Sequence, residues 1–123
     1  MREIKFRVWD TEEGKMHHNV GVQGNCVFGN MEETLLLSAE HNPVMQYTGL
    51  KDKLGKEIYD GDIVEYEVSL VPFIKEVYFV EADRNCFVFR QPGNSNGACT
   101  YLQTAKLEII GNIYENPELC PTS

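Results

Sequence analysis

The stretch at residues 60–68 reads Asp-Gly-Asp-Ile-Val-Glu-Tyr-Glu-Val and carries the clearest structural pattern in the chain. Its first three residues predict a tight turn, with a positive φ at Gly61 and with Asp60 and Asp62 accepting backbone N–H bonds. From Val64 onward, apolar side chains alternate with glutamates, which is the period-two pattern of a strand with one buried face. This pattern predicts a fold built on β-strands.

Strand-like segments lie on both sides of this stretch. Residues 3–9 alternate in the same way, and residues 73–80 are in part apolar on both faces, which predicts a central strand. Strands recur every 8–14 residues from about residue 44, without helices between them. This rhythm favours an antiparallel sheet or a small barrel over a parallel sheet. The other predicted strands are residues 16–22, 25–28, 44–48, 58–59, 86–90, 101–104 and 107–114.

One short helix is predicted near residues 31–39. The segment 30–40 offers Asn30 as an N-cap, two glutamates for the first turn and an apolar face at Leu35–Leu37. Because the segment is short, a strand through Thr34–Leu37 is the alternative. The sequence leaves both interpretations open.

The negative charge of the chain is unevenly distributed. The net charge is −8 over 123 residues, a length that favours one domain. Residues 1–56 carry seven Lys/Arg against eight Asp/Glu, whereas residues 57–123 carry four against eleven. Nucleic-acid binding depends on cations that neutralise phosphates, so it is disfavoured unless the N-terminal basic residues form a patch. The acidity favours solubility, with attraction of a basic partner as the functional alternative. The N-terminal basic residues are Arg2, Lys5, Arg7 and Lys15.

The cysteines and histidines do not form a metal-binding pattern. Cys26, Cys86, Cys99 and Cys120 are separated by 60, 13 and 21 residues, whereas structural zinc sites need tight local spacings. The adjacent histidines at 17 and 18 would point to opposite faces of a strand. No metal and no cofactor is therefore predicted.

The N-terminus lacks a signal-peptide pattern, so free thiols in a cytosolic protein are expected. No apolar run is long enough for a transmembrane helix, so no membrane association is expected.

No catalytic residues are predicted. Asp60-Gly61-Asp62 resembles the start of a calcium loop, but Val71 stands at position twelve, where such a loop needs glutamate. No adjacent base marks a cysteine as a nucleophile, and no Gly-rich phosphate loop is present. An enzyme is the least favoured class of function.

Four blocks of the sequence, taken in order, carry a resemblance to a known family. They are Phe-Arg-Val-Trp-Asp at 6–10, Met-Gln-Tyr-Thr-Gly-Leu-Lys-Asp-Lys at 45–53, Gly-Lys-Glu-Ile-Tyr-Asp-Gly-Asp-Ile-Val at 55–64 and Ile-Gly-Asn-Ile-Tyr-Glu-Asn-Pro-Glu-Leu at 110–119. Through these blocks the protein resembles the YopX family of phage and prophage proteins. The blocks span nearly the whole chain, while residues 16–43 and 68–106 match little.

The resemblance implies an architecture and a setting. It implies an SH3-like small barrel at residues 44–119 and a smaller β-rich N-terminal portion at residues 1–43, which would carry the short helix. It also implies a phage or prophage origin and assembly into homo-oligomers. The family has no established biochemical activity, so the resemblance implies no catalytic residues.

The block 46–64 is the preferred surface for a partner. Aromatic side chains in a small barrel either fill its core or line a groove for a peptide or for bases. The candidate binding residues are Gln46, Tyr47, Thr48, Lys51, Asp52 and Tyr59. The alternative is that the block only specifies sharp turns. The candidate turn residues are Gly49, Gly55, Asp60, Gly61 and Asp62, with Gly111 further along the chain.

These observations favour a protein that acts by binding. The first hypothesis is an accessory protein of the bacterial cytoplasm that self-associates and binds a host or phage protein. The second is a nucleic-acid-associated or transcription-related factor that uses the basic residues of segment 3–9.

Overall fold

The computed structural model describes residues 4–29, 36–70, 73–83, 86–91, 98–99 and 102–119. Strands dominate these residues, with two short 3₁₀ turns at Thr104–Lys106 and Pro117–Leu119. The predicted mainly β fold is therefore confirmed. The chain divides into two compact units, Met1–Tyr47 and Thr48–Ser123, whereas the sequence placed this division after residue 43.

The first unit contains two small antiparallel sheets. In one sheet, β1 (Phe6–Asp10) lies between β2 (Lys15–His18) and the start of β6 (Val44–Lys51). In the other, β4 (Cys26–Phe28) lies between β3 (Gly21–Gln23) and β5 (Leu36–Ser38). Val8, Val20 and Val27 form the buried core of this unit. The alternation predicted for residues 3–9 thus places Val8 on an inner face.

The second unit is built on one antiparallel sheet that curls into a half-barrel. The sheet order is β11-β10-β9-β8-β12, so β9 is central, as predicted for residues 73–80. These strands are β8 (Asp62–Leu70), β9 (Phe73–Asp83), β10 (Cys86–Arg90), β11 (Ala98–Cys99) and β12 (Leu107–Asn112). The end of β6 and β7 (Glu57–Tyr59) precede them.

The concave face of the half-barrel holds the core of the second unit. Its buried side chains are Ile58, Val64, Val80, Phe89 and Leu107. Val64 lies opposite Tyr78, and Val80 lies opposite Phe89, so alternate residues of three strands meet on one face. The alternation that begins at Val64 is therefore the pattern that builds this core.

Three segments differ from the expectations. The helix near 31–39 is wrong for its second half, because Leu36–Ser38 is a strand that pairs with β4; residues 30–35 lie outside the described residues. Leu37 packs on the core of the first unit, and this tertiary contact outweighs the intrinsic helix propensity of leucine, which tertiary packing commonly overrides. The strand predicted at 101–104 is also wrong where described, because Thr104 begins a 3₁₀ turn. The segment 16–22 forms two strands, because Asn19 has φ 56° and interrupts it.

Candidate functional site

Four of the six candidate binding residues in the block 46–64 are buried. Tyr47, Thr48, Asp52 and Tyr59 are each at most 6% exposed, Gln46 is half-buried and Lys51 is exposed. Burial gives the first four a packing role within the chain. Whether this block also receives a partner stays a prediction.

Asp52 connects two segments that are far apart in the sequence. Its Oδ1 accepts the backbone N–H groups of Leu54 and Lys56, each at 2.9 Å, and its Oδ2 accepts the N–H of Ile109 at 3.0 Å. The backbone N–H of Lys53 also donates to the carbonyl of Leu107. The carboxylate thus joins the turn after β6 to β12.

The pKa of Asp52 lies below its ordinary value. Burial of the carboxyl is the largest effect and acts to raise the pKa. The hydrogen bonds from Ile109, Lys56 and Leu54 stabilise the charged form and outweigh the burial. Asp52 is therefore a buried carboxylate held in its charged form by backbone donors.

The tight turn at residues 60–62 has the positive φ predicted for Gly61 and a backbone N–H bond to Asp62, while the bond predicted for Asp60 stays a prediction. Gly61 has φ 89°, its N–H donates to the carbonyl of Val80, and its carbonyl accepts from the N–H of Ile113. Asp62 is 2% exposed and accepts the N–H of Tyr59 at 2.8 Å. The turn therefore joins β7, β9 and the end of β12.

A second polar turn follows β12. Asn112 is buried, and its Oδ1 accepts the N–H groups of Tyr114 and Glu115. The pairing register of β12 with β8 shifts between Ile109 and Gly111, and a Cβ on Gly111 would lie 2.5 Å from the Oδ1 of Asn116. Gly111 is therefore a glycine because the Asn116 side chain occupies that space.

The concave face of the half-barrel becomes polar next to its core. Tyr66 lies opposite Glu76 on the neighbouring strand, and the rings of Tyr66 and Tyr78 meet edge to face with centroids 6.3 Å apart. The Oε2 of Glu76 accepts the hydroxyl of Tyr78 at 2.7 Å and the side-chain amide of Gln91 at 2.6 Å. We call Tyr66, Glu76, Tyr78 and Gln91 the concave cluster. All four side chains are half-buried, so they border both the core and solvent.

The convex face of the same sheet carries ion pairs between neighbouring elements. Their N···O distance is 3.2 Å for both Lys53–Glu108 and Lys75–Glu65, and Arg90 pairs with Glu81. Three carboxylates of the second unit, those of Glu65, Glu81 and Glu108, are thus paired with cations on this face.

The outer face of β3–β5 carries no charged residue and exposes two large apolar side chains. Phe28 and Leu36 lie opposite each other on β4 and β5 and are 42% and 75% exposed. Their neighbours on this face, by strand register, are Gly21, Gln23, Cys26 and Ser38. None of the six residues carries a charge, and Cys26 is an exposed free thiol. We call these six residues the outer face of β3–β5.

Two carboxylates and a histidine cluster at the β1–β2 hairpin. One ligand atom each from Asp10, Glu13 and His17 lies within 4.8 Å of the others. The Oδ1 of Asp10 accepts the N–H groups of Glu12 and Glu13, and its Oδ2 lies 3.4 Å from the Nε2 of His17. The pKa of Asp10 lies below its ordinary value, and the hydrogen bond from the N–H of Glu13 is the largest cause. Burial acts to raise this pKa, whereas the bonds from His17 and from the N–H of Glu12 lower it further. These bonds stabilise the hairpin turn and hold the Asp10 carboxylate beside His17.

Among the described residues, the N-terminal cations do not form one exposed patch. Arg7 is 5% exposed, and the ammonium of Lys5 lies 5.7 Å from the ring centroid of Tyr47. Lys15 is exposed, and Arg2 lies outside the described residues. One of these cations is therefore buried and another is directed at an aromatic ring.

Sequence reasoning named some members of these sites and missed others. The tyrosines of the concave cluster stood out by composition, but Glu76 and Gln91 did not, because their meeting depends on the register of three strands. The alternation of Glu76, Tyr78 and Val80 along β9 was the one signal that could have placed Glu76 on the concave face. Phe28 and Leu36 carried no such signal, because residue 36 was assigned to the predicted helix.

The model of the YopX protein family matches residues 5–120. This match covers nearly the whole chain, so the chain belongs to the YopX family. No curated protein matches it. No helix among the described residues has the length and apolarity needed to cross a membrane.

Two solved structures share the fold. The chain is similar to protein EF1440 from Enterococcus faecalis, at 26% identity and a TM-score of 0.71, over 98% of this chain and 100% of that one. It is also similar to protein YopX from Bacillus subtilis, at 23% identity and a TM-score of 0.63, over 100% of this chain and 99% of that one. At these identities the comparisons support the architecture, and the function has to be argued from the surfaces of this chain.

Proposed function

We propose that this protein is a phage- or prophage-encoded accessory protein that acts in the bacterial cytoplasm by protein binding and self-association. The observation that carries the proposal is the outer face of β3–β5, where Phe28 and Leu36 are exposed side by side. Neighbouring exposed apolar side chains on an uncharged sheet face are typical of protein-binding surfaces. The phage setting rests on family membership.

A second copy of the chain is the occupant that fits this face best. The chain has a net charge of −8, so two copies repel each other unless they meet where charge is absent. The outer face of β3–β5 provides such a place, and it offers a basic partner no counter-charge. Two exposed apolar side chains cover far less than the roughly 800 Å² per partner of a standard interface. The dimer is therefore weak and depends on concentration.

Light scattering across a concentration series tests this proposal. We expect the mass to rise above 14.1 kDa as the concentration increases from about 10 μM to about 1 mM, the range of weak complexes. Replacing both side chains (F28S/L36S) should shift this rise to at least about tenfold higher concentration, because about 1.4 kcal/mol of apolar burial is lost.

A control uses another exposed apolar pair, which lies outside the outer face of β3–β5. Val68 and Ile74 are 44% and 43% exposed on the β8–β9 hairpin, and V68S/I74S should leave the concentration dependence unchanged. Because Leu36 is 75% exposed, L36S alone provides a variant whose fold is little affected. A constant mass of 14.1 kDa at every concentration, or equal effects of the two double variants, would overturn the proposed dimer.

Nucleic-acid binding is the weaker candidate. It needs exposed cations that neutralise phosphates, and Arg7 is buried while Lys5 is directed at Tyr47. A mobility shift with DNA or RNA at low salt that disappears as salt is raised would favour it over self-association.

A further inference from the structure

The concave cluster combines the two groups that recognise a guanidinium. Glu76 supplies a carboxylate, and Tyr66 and Tyr78 supply aromatic rings beside it. From this geometry we propose that the concave cluster binds an arginine side chain of a partner protein. This inference goes beyond self-association, because none of these residues belongs to the outer face of β3–β5.

The carboxylate is held in place for an incoming donor. Tyr78 and Gln91 donate to the Oε2 of Glu76 at 2.7 and 2.6 Å, so the side chain is fixed from two directions. Among the residues that the structure describes, both donors lie on Oε2, which leaves Oε1 as the oxygen for a further donor. A carboxylate that is already oriented loses little conformational freedom when it binds.

The aromatic pair selects arginine over other partners. The two tyrosine rings stand at 83° to each other, so the edge of one ring meets the face of the other. A planar guanidinium stacks on an aromatic face while its N–H groups reach a carboxylate. Lysine has no plane to stack, and a phosphate would be repelled by Glu76. An arginine therefore uses both parts of the cluster.

The charge of the second unit supports a cationic ligand. Lys53, Lys75 and Arg90 form their ion pairs with carboxylates on the convex side of the sheet or at its edge. The concave carboxylate at Glu76 instead receives its two donors from neutral side chains. A cation approaching the concave face thus meets a negative charge, within the field of a chain of net charge −8.

Titration with N-acetyl-arginine amide, followed by NMR, tests the proposal. We expect saturable shifts of the ring protons of Tyr66 and Tyr78 and of the Gln91 side-chain amide. The citrulline analogue keeps the shape without the charge and should bind at least about tenfold more weakly, because charge-assisted hydrogen bonds are about twice as strong as neutral ones. Added salt should weaken the binding of arginine only.

Two substitutions separate a specific site from general attraction. E76Q should weaken arginine binding at least about tenfold, because it removes the carboxylate. E67Q, which removes the same charge from a position opposite Lys75 on the convex face, should have little effect. If E76Q lowers the melting temperature strongly, Y78F serves as the second variant. It keeps the aromatic ring but removes one of the two donors that orient Glu76, and it should weaken arginine binding by about threefold.

Three results would overturn the proposal. They are equal shifts with arginine and citrulline, equal losses with E76Q and E67Q, and no shift at about 50 mM probe, well above the range expected for one side chain. These results leave the light-scattering test unaffected, because self-association concerns Phe28 and Leu36.

Discussion

Replacing Asp52 by alanine is expected to lower the free energy of unfolding by about 3–6 kcal/mol, because three backbone N–H groups lose a charged acceptor at about 1–2 kcal/mol each. The donors are Leu54 and Lys56 in the turn and Ile109 in β12. Asp52 is only 6% exposed, so water does not readily replace the carboxylate. Urea denaturation of the variant and the wild type measures the difference.

Glu108→Gln is the matched control for this substitution. Glu108 also lies where the turn meets β12, but it pairs with Lys53 near the surface, with both side chains about one-third exposed. Removing such a pair should cost less than about 1 kcal/mol. Equal effects of D52A and E108Q would show that charge near β12, rather than the three hydrogen bonds, holds the turn.

The contribution of Asp52 should also depend on pH. The folded-state pKa lies below the ordinary value of 3.8, so the stabilisation is fully present above that value. It is lost as the pH falls through the lower, folded-state pKa, because the protonated carboxyl no longer attracts the three donors as strongly. The stability difference between wild type and D52N should therefore shrink below about pH 4. A stability difference between wild type and D52N that grows as the pH falls would contradict the lowered pKa of Asp52.

Gly61→Ala is expected to cost about 2–3 kcal/mol, the second largest effect. Gly61 has φ 89°, a conformation in which a side chain adds about 1–3 kcal/mol of strain. Relieving this strain would move an N–H bonded to Val80 and a carbonyl bonded to Ile113. Thermal or urea denaturation measures the loss.

Gly55→Ala separates the strain of the backbone from the loss of these bonds. Gly55 has a similar φ of 83°, and a Cβ there meets no atom within 4 Å. The N–H of Gly55 donates within its own turn, to the carbonyl of Asp52 at 3.0 Å, whereas Gly61 is bonded to the distant residues Val80 and Ile113. G55A should therefore show mainly the backbone cost, about 1 kcal/mol less than G61A. Equal losses at the two glycines would mean that the bonds to Val80 and Ile113 contribute nothing measurable.

The features that the sequence predicted well are local. The turn at Gly61 and the strand that starts near Val64 depend on residues a few positions apart, and period-two alternation reports which face is buried. The short segment Leu36–Ser38 was ambiguous, because three residues cannot distinguish a helical from an extended period. Its pairing with β4 decided the structure, and no pattern within the segment encodes that pairing.

The features that escaped prediction depend on contacts between distant segments. Asp52 was interpreted as a surface residue, but its partner Ile109 lies 57 positions along the chain. Aromatic richness marked Tyr47 and Tyr59, yet composition alone does not distinguish a core ring from one that lines a groove. Glu76 and Gln91 meet only because β10 pairs with β9 in one particular register.

Cross-linking through Cys26 tests most directly whether the outer face of β3–β5 meets a second copy of the chain. Cys26 is exposed on this face, two residues from Phe28, and Cys86 is an exposed thiol outside it. The test uses two variants, one that keeps only Cys26 and one that keeps only Cys86. Mild oxidation of the Cys26 variant should give a disulfide-linked species of twice 14.1 kDa, and adding F28S/L36S to this variant should suppress that species. Equal cross-linking through Cys86, or none through Cys26 at concentrations where light scattering detects association, would contradict this account.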